Sequence, residues 1–519
     1  MRMIARALPL PRRQGPDEPG LALLAQLRAR DAGRLRGYQD LLDFYDGTHF
    51  TRPRRGRTSL VVNYARAVAD KGVAYLFGRG VRFSVPVERE EAAPTPPSPA
   101  AAGKGASSPP SPAVAREGAL PLPRPPLGGE AGRADKARAG EGAPGAGEEK
   151  ARAAERLLNR IAEENDLDLV LLQAATNASV LGDAVLKVLW DAAGRVRVVN
   201  VDPFCFFPTW ASDDIATLRE VVLAGRVSAA EAAERFGVTR GPAPSGSAAA
   251  PAMLDTIERW TDARFQLVVG DQVVRDGPNP YGFIPFVHVA NLQPPNSAWG
   301  VSDLAQLIAL NRELDERMSD QADLIRYHAD PPVVFRGIEE HSDLPVGPGT
   351  VWDLPRDADV ALLEWRGNAP ALQDHIERVL RAIYDVSETP RTSFGDSGRL
   401  LSGVALETEL QPLVHRTLRK RVGWSAALRR CARMVLTLVE RFEPGRAPGA
   451  FAPYRAQVIW PQMLPRDDDA DAQRNLSLVQ GGLRSHRGAM EALGDLDPEV
   501  ELERVRADRA FLDPPRTVL

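Results

Sequence analysis

The sequence predicts a helix-rich α+β fold, and three observations support this prediction. Two unusually long amphipathic helices are indicated at residues 302–330 and 403–442. Between residues 184 and 290 the chain changes to short runs rich in β-branched residues and divided by turns, which is typical of an antiparallel or mixed sheet. Hydrophobic residues make up 44% of the 519 positions, and this length indicates more than one domain at about 100 to 200 residues each.

Composition argues against several classes of protein. The net charge of -4 gives no global basic field of the kind that many nucleic-acid-binding proteins have. Two cysteines, Cys205 and Cys431, provide neither a disulfide framework nor zinc-ligand spacing. The N-terminal segment lacks the apolar core of a signal peptide, and no apolar run approaches the roughly 18 residues of a membrane span. We therefore expect a soluble protein without membrane contact.

The N-terminal part is predicted to be helical. Residues 31–46 and 59–77 show helical spacing, and Gly47 and Gly78 follow them as natural stops before the strand-like run VRFSV. Residues 87–150 consist mainly of Pro, Ala, Gly and Ser with few large apolar side chains. Such a segment buries too little surface to offset its chain entropy, so we predict a disordered insertion in a surface loop.

Helices and then a sheet are predicted after the insertion. The helices lie at 151–164 and 168–181. Six short runs after them are predicted to be strands: AVLKVLW, RVRVVNV, LREVVLAGRV, TIERWT, RFQLVV and PFVHVA.

The helix predicted at 302–330 has sharp limits and an apolar stripe. Ser302 and Asp303 are predicted to cap its start, and Pro331 and Pro332 to stop it. At the usual rise per residue it is roughly 40 Å long, which suits a strut or a helical barrel better than a compact enzyme core. The stripe consists of Leu304, Leu307, Leu314, Met318 and Ile325.

Short strands and further helices are predicted beyond it. The strand candidates PPVVFRGI, GTVWDL and VALLEW precede a helix at 371–387. A loop rich in Gly and Ser, RTSFGDSGRLLSG, separates that helix from the one at 403–442, which Pro412 is predicted to kink. The tail opens with the acidic helix start RDDDADAQRN and continues as short helices.

Fragments that resemble catalytic or metal-binding motifs lack the necessary context. GDSG at 395–398 resembles the surroundings of a serine-protease nucleophile, but no matching His and Asp pattern precedes it, which favours a flexible loop. A hydrolase using Ser397 is the disfavoured alternative. The seven histidines are never spaced as a helical metal pair, and the acids between Asp467 and Asp471 complement a helix dipole without any ion. We expect no catalytic residue, metal or cofactor.

Basic residues form two groups. One runs from Arg52 to Arg57, and the other spreads along the helix at 403–442. We interpret both as solvated or intersubunit faces, with phosphate contact as the less favoured alternative because no base-stacking aromatic residues accompany them. The helical group consists of Arg416, Arg419, Lys420, Arg421, Arg429, Arg430 and Arg433.

The order of these segments resembles that of a known family. The similarity is carried by LLDFYDGTH, VVNYARAVADKGVAYLFGRGV, VDPFCFFPTW, NPYGFIPFVHVAN, WGVSDLAQLIALNRELDERMSDQAD, LLSGVALETELQPL, and the tail LPRDDDADAQRN with ELERV. In this order and spacing they resemble the portal proteins of tailed double-stranded-DNA bacteriophages, specifically the siphophage-type portal family. The insertion at 87–150 departs from that pattern as a loop elaboration.

The resemblance implies a portal fold with wing, two-helix stem, clip, tunnel loop and C-terminal crown. Carried onto this sequence, the implied parts are the wing at 1–86, 151–301 and 403–464, the insertion at 87–150, the stem helices at 302–330 and 370–389, the clip at 331–369, the tunnel loop at 390–402 and the crown at 465–519.

The resemblance also implies candidate sites, and the apolar stripe becomes a stem interface. The DNA-facing tunnel-loop residues would be Ser393, Phe394, Asp396, Ser397, Arg399 and Leu400. The clip residues that dock partners would be Phe335, Trp352, Asp353, Glu364 and Trp365. A channel wall that holds DNA weakly would be formed by Asp315, Glu316, Asp320 and Asp323 beside Arg312 and Arg326.

The implied assembly is a homo-oligomeric ring, typically of twelve subunits, at one capsid vertex of the virion. Double-stranded DNA is packaged and ejected through such a ring without sequence-specific contacts. The implied partners are the large terminase, which hydrolyses ATP, head-completion or adaptor proteins, and the major capsid and scaffolding proteins, with assembly in the host cytoplasm. Another ring-forming head-tail adaptor is the alternative, although adaptors are usually much shorter.

Overall fold

The computed structural model describes residues 20–50, 57–86, 146–238, 253–329, 333–336, 356–362, 369–395, 403–464 and 468–493, with Leu502 and Val505. Within this part, eleven α helices and twelve β strands form a mixed α+β fold. Most of the predicted insertion at 87–150 lies outside the described residues, as do the strand candidate GTVWDL and the basic run from Arg52 to Arg55.

Three helices form the N-terminal part: α1 Gly20–Arg30, α2 Ala32–Tyr45 and α3 Tyr64–Phe77. α2 confirms the helix predicted at 31–46, whereas α3 begins at Tyr64 and not at residue 59. Asn63 caps α3, since its side chain accepts a hydrogen bond from the N–H of Arg66 at 2.9 Å. Residues 58–63 are not helical, and alternate N–H groups among them bond to side chains of another helix.

The two helices predicted after the insertion are confirmed as α4 Ala146–Glu164 and α5 Leu167–Leu181. α4 begins at Ala146, before the predicted start at residue 151. Gly182 ends α5 with a φ of 95°, and a Cβ atom there would lie 3.0 Å from the carbonyl oxygen of Gly300. This close approach of two backbone segments requires a glycine.

Two antiparallel sheets follow α5. The first has the order β3-β2-β9, with β2 Asp183–Trp190 between β3 Val196–Val201 and β9 Phe286–Ala290. The second is a meander in chain order: β4 Phe206–Trp210, β5 Leu218–Ser228, β6 Met253–Trp260, β7 Arg264–Val269 and β8 Gln272–Pro278. All six predicted strand runs are confirmed. The strands β4 and β8 and the helix α6 Ala229–Phe236 have no counterpart among the predicted elements.

The helix predicted at 302–330 is α7, Ile308–Ala329, and it begins later than predicted. Ser302 Oγ accepts from the N–H of Leu304 at 3.0 Å and so caps the turn at 303–307 that precedes α7, whereas Asp303 bonds to other elements. Ser302 Oγ donates to the carbonyl oxygen of Val180 at 2.5 Å. Asp303 pairs with basic side chains of a later helix.

Short strands and long helices complete the described chain. β10 Val333–Arg336 pairs antiparallel with β11 Asp359–Leu362, and α8 spans Ala369–Ser387. The second long helix is confirmed as α9, Gly403–Phe442, with 40 residues and Pro412 inside it. β12 Gln457–Ile459 pairs antiparallel with β1 Arg82–Ser84. The tail contains α10 Asp468–Gln480 and α11 His486–Leu493.

Three apolar cores hold these elements together. The largest lies where the two sheets meet α5 and α9. Inside it the ammonium of Lys187 pairs with the carboxylate of Glu258, which also accepts a hydrogen bond from the indole N–H of Trp260 at 3.0 Å. The second core joins α2, α3, α7 and α8, and the third packs α1 on the five-stranded sheet. None of the helices in the described ranges combines the length and the apolarity needed to cross a membrane.

Candidate functional site

The second core lies at the base of the α7–α8 pair and contains most of the predicted stem stripe. Leu304, Leu307 and Leu314 are at most 1% exposed, and Met318 packs against them at the edge. Their partners on α8 are Ile376, Val379 and Ile383. Ile325, nearer the end of α7, is 64% exposed. The structure therefore brings together four of the five stripe residues and leaves the fifth outside the core.

A ladder of hydrogen bonds runs along one side of α7. We call residues 58–62 the strap, because this extended segment lies along the helix. The strap N–H groups of Thr58, Leu60 and Val62 donate to side chains of α7 at 2.8 to 3.0 Å. The acceptors are Asp323, Ser319 and Asp315 respectively, and Asn311 continues the series by accepting from the N–H of Ala65 at 2.9 Å.

The ladder works because two repeats have nearly the same length. Four residues of helix rise about 6 Å, and two residues of extended chain rise about 6.6 Å. An acceptor at every fourth position of α7 therefore faces the N–H of every second strap residue. The four acceptors are short polar side chains, as this close approach of backbone to helix requires.

Asp315 is buried by the ladder, so its predicted place on a channel wall is wrong. Asp315, Asn311 and Ser319 are 0% exposed. One carboxylate oxygen of Asp315 accepts from Val62, and the other pairs with His49 and accepts from Asn311 at 3.1 Å. Asp323 also bonds to the strap, whereas Glu316 and Arg326 remain exposed.

His49 closes the inner end of the ladder. Its ring stacks on Phe44 with the centroids 4.0 Å apart, and it is 2% exposed. Nε2 faces the carbonyl oxygen of Phe44 at 3.0 Å, and Nδ1 faces the carboxylate of Asp315. Asn311 Nδ2 also lies 3.4 Å from Nδ1, so the ring has partners on both α2 and α7. His49 therefore fixes the loop after α2 to α7.

A second polar cluster surrounds Asp303, just before α7. Its carboxylate pairs with Lys420 and Arg416 of α9 and accepts from the side-chain amide of Asn291 at 3.0 Å. Burial disfavours the charged carboxylate, but the cations of Lys420 and Arg416 outweigh burial and lower the pKa of Asp303 to about 2. The ammonium of Lys420 also donates a hydrogen bond to Ser179 Oγ of α5. The cluster therefore joins α5, α9 and the segment before α7.

These contacts correct the prediction for the first half of the basic group on α9. Arg416 and Lys420 pair inside the protein, and Arg419 pairs with Glu388. Arg421 is 9% exposed and stacks over the ring of Trp460, 4.8 Å from its centroid. Arg416, Lys420 and Arg421 are therefore neither a solvated face nor a free phosphate site, whereas Arg419 is exposed, as a solvated face requires. Arg429, Arg430 and Arg433 are exposed, as a solvated or intersubunit face requires.

The predicted tunnel loop is described at its first residues only. Residues Arg391–Phe394 form a short 3-10 turn after α8. Ser393 Oγ donates to the carbonyl oxygen of Pro390 at 2.6 Å, and the ring of Phe394 lies 6.1 Å from that of Tyr384. Phe394 thus packs against α8, whereas the hydrogen bond of Ser393 lies within the turn itself. The other four candidates, Asp396, Ser397, Arg399 and Leu400, lie outside the described residues.

The predicted clip is represented by β10 and β11. The backbone of Phe335 pairs with Val360 in this hairpin. The candidates Trp352, Asp353, Glu364 and Trp365 lie outside the described ranges. Across the residues that the structure describes, no group of three or more His, Cys, Asp or Glu side chains could hold a metal ion.

Fold and site together define a class of protein: a helix-rich α+β chain in which polar networks fix a pair of long helices to a mixed body. Within that class, a family model described as phage portal protein, SPP1 Gp6-like, matches residues 24–228 and 251–511. This match covers most of the chain, and the protein belongs to the phage portal family, which is structural rather than enzymatic. No curated protein matches the chain.

Proposed function

We propose that the protein assembles into a ring, typically of twelve subunits, that forms the DNA channel at one vertex of the phage capsid. The family match over most of the chain is the observation that carries this proposal. The long α7–α8 pair with its shared core supports it, because a ring of such pairs builds a helical barrel. In the virion the ring would contact the major capsid protein, after assembly with scaffolding protein in the host cytoplasm.

The described elements suit the implied parts of a portal subunit. α7 and α8 would be the stem, the β10–β11 hairpin belongs to the clip, and the two sheets with α9 would form the wing. The stem interface would use Leu304, Leu307, Leu314 and Met318, which share one core, with Ile325 free to contact a neighbouring copy. α10 and α11 would belong to the crown.

The loop between α8 and α9 is the proposed point of closest approach to DNA. Its proposed DNA-facing residues are Ser393, Phe394, Asp396, Ser397, Arg399 and Leu400. Charge reversal by Asp396→Lys or Arg399→Glu should change packaging efficiency and genome retention, because the loop would meet the phosphate backbone without base-specific contacts.

A matched control for that test is Asp271→Lys, which changes charge by the same amount at the exposed turn between β7 and β8. Packaging yield and DNA retained per capsid would be measured for all three variants. Unchanged packaging and retention in both loop variants would remove the loop from the channel.

The clip would dock the large terminase during packaging and head-completion proteins afterwards. Its proposed docking residues are Phe335, Trp352, Asp353, Glu364 and Trp365. Tryptophan is enriched among residues that dominate binding energy at interfaces. Trp352→Ala and Trp365→Ala should therefore weaken terminase binding at least tenfold in a titration with purified rings, while Trp210→Ala, on β4, should not. Equal binding by all three variants would argue against this docking site.

A further inference from the structure

Arg416 of α9 bonds to the two chain segments that meet at one end of the α7–α8 pair, which we call its base: the segment before α7 and the last residue of α8. Its Nη2 donates to Asp303 Oδ1, ahead of α7, at 2.9 Å. Its Nη1 donates to the carbonyl oxygen of Ser387, the last residue of α8, at 3.1 Å. The Arg416 side chain is only 12% exposed. A single guanidinium thus joins the start and the end of the helical pair.

Two neighbouring cations extend this contact. Lys420, one turn further along α9, pairs with the same carboxylate of Asp303. Arg419 donates to both carboxylate oxygens of Glu388, at 2.5 and 2.7 Å. Glu388 has a φ of 53°, a left-handed conformation that non-glycine residues rarely adopt. We call Arg416, Arg419 and Lys420 the α9 clasp.

We propose that the α9 clasp couples the loop after α8 to the base of the α7–α8 pair, with Arg416 as the positioning residue. The loop leaves α8 through Glu388, directly after the carbonyl that Arg416 holds. If the loop moves and displaces the end of α8, one of two things must happen. Either the hydrogen bond between Arg416 and Ser387 breaks, or Arg416 moves with α8 and displaces Asp303 as well.

The burial of these groups makes the coupling strong. Removing one partner of a buried ion pair leaves the other charge uncompensated, which is far more costly than separating an exposed pair. Asp303 and Lys420 are 6% and 5% exposed. The Arg419 side chain is 57% exposed, so its pair with Glu388 contributes less and affects only the loop side. The contacts of the clasp with Asp303 are thus stronger than its contact with Glu388 at the start of the loop.

The consequence for DNA passage rests on the proposed channel function. A loop displaced by moving DNA would, through Arg416, shift the start of α7 and so the whole pair that leads to the clip. The coupling itself is a property of one chain and can be measured without DNA, terminase or capsid.

Hydrogen-deuterium exchange on the full-length protein tests the coupling. Arg416→Ala should accelerate backbone exchange about tenfold in two separate segments, 300–308 and 384–395, the factor expected for the loss of a charge-assisted hydrogen bond. Arg419→Ala should accelerate exchange in 388–395 only. Arg429→Ala, an exposed arginine of the same helix, is the matched control and should change neither segment.

Acceleration by Arg416→Ala at one end alone, or in neither segment, would overturn the coupling, as would equal acceleration by Arg419→Ala at both ends. If Arg416→Ala does not fold, Arg416→Lys is measured instead, since it keeps the charge but its single amino group does not span both acceptors. The same two-segment acceleration is expected for it. Ring formation is scored separately, so a failure here is distinguishable from a failure of the channel proposal.

Discussion

At the scale of residues, the side chain of Asp315 shows how a buried charge is held on α7. Each of its oxygens has a partner outside its own turn, the N–H of Val62 on one side and His49 on the other. A buried acceptor of this kind cannot be removed without leaving its donors unpaired, and each unpaired donor costs about 1 to 3 kcal/mol. Asp315 therefore contributes to stability and not to DNA contact.

Asp315→Ala should destabilise the protein by about 3 kcal/mol, because the N–H of Val62 and the His49 ring both lose their partner. The measurement is the shift of the thermal or urea unfolding transition. Glu316→Ala is the control on the next position, where the side chain is 53% exposed, and it should stay within about 0.5 kcal/mol of the wild type. Similar shifts for the two variants would contradict the ladder.

The pKa of Asp303 predicts a pH dependence with a definite sign. Its value is lowered from 3.8 to about 2, so its contribution to stability is present above pH 4 and is lost as the pH falls towards 2. The contribution at neutral pH is about 2 kcal/mol. The stability difference between the wild type and Asp303→Asn should therefore be largest at pH 5 to 7 and shrink between pH 4 and pH 2.

Urea unfolding at a series of pH values measures this difference. Asp262→Asn, in an exposed turn, is the control and should follow the wild type throughout. A difference between wild type and Asp303→Asn that stays constant down to pH 2 would contradict the assignment.

At the scale of elements, the strap is held by its backbone and not by its side chains. Leu60 and Val61 are exposed, and neither belongs to or packs against the three apolar cores. The N–H of Leu60 donates to Ser319, whereas that of Val61 makes no hydrogen bond to any residue that the structure describes. Every second N–H group of the strap therefore bonds to α7, and mutation of adjacent strap residues tests this repeat directly.

Leu60→Pro should destabilise the protein by about 1 to 3 kcal/mol, because it removes a ladder donor and leaves Ser319 without it. Val61→Pro restricts the chain similarly but removes no ladder bond, so its effect should be clearly smaller. Thermal unfolding of both variants is the measurement. A larger loss of stability for Val61→Pro would mean that the register of the strap is different.

Most elements could be predicted from the sequence, and those missed have physical reasons. The two strands without a predicted counterpart, β4 and β8, are the edges of their sheet and contain Pro208 and Gly277, which are poor strand formers. The start of α7 was placed at Ser302 because Ser and Asp favour helix caps. Ser302 caps only the turn before α7, and tertiary partners on α5 and α9 bind Ser302 and Asp303, which a local pattern does not reveal.

The candidate site was less predictable for the same reason. The acceptors Asn311, Asp315, Ser319 and Asp323 recur at every fourth position, a signal that local reading can detect. Their donors, however, lie about 250 residues earlier in the chain. Sequence patterns therefore indicated a polar face on α7 but not that a strap covers it.

At the scale of the whole molecule, the net charge of -4 agrees with the proposed channel, because DNA would have to slide through it. Tight phosphate binding would hold the DNA in place, and Arg416 and Lys420 of α9 pair with the buried Asp303 instead. The resemblance read from the ordered segments agrees with the family match over 24–228 and 251–511. Assembly is thus the property that most directly distinguishes a portal from a monomeric protein.

Negative-stain electron microscopy of the purified full-length protein tests the proposed ring most directly. The proposal predicts turbine-shaped rings with a central hole, and class averages should show a rotational symmetry close to twelvefold. A uniform population of small monomers would contradict it.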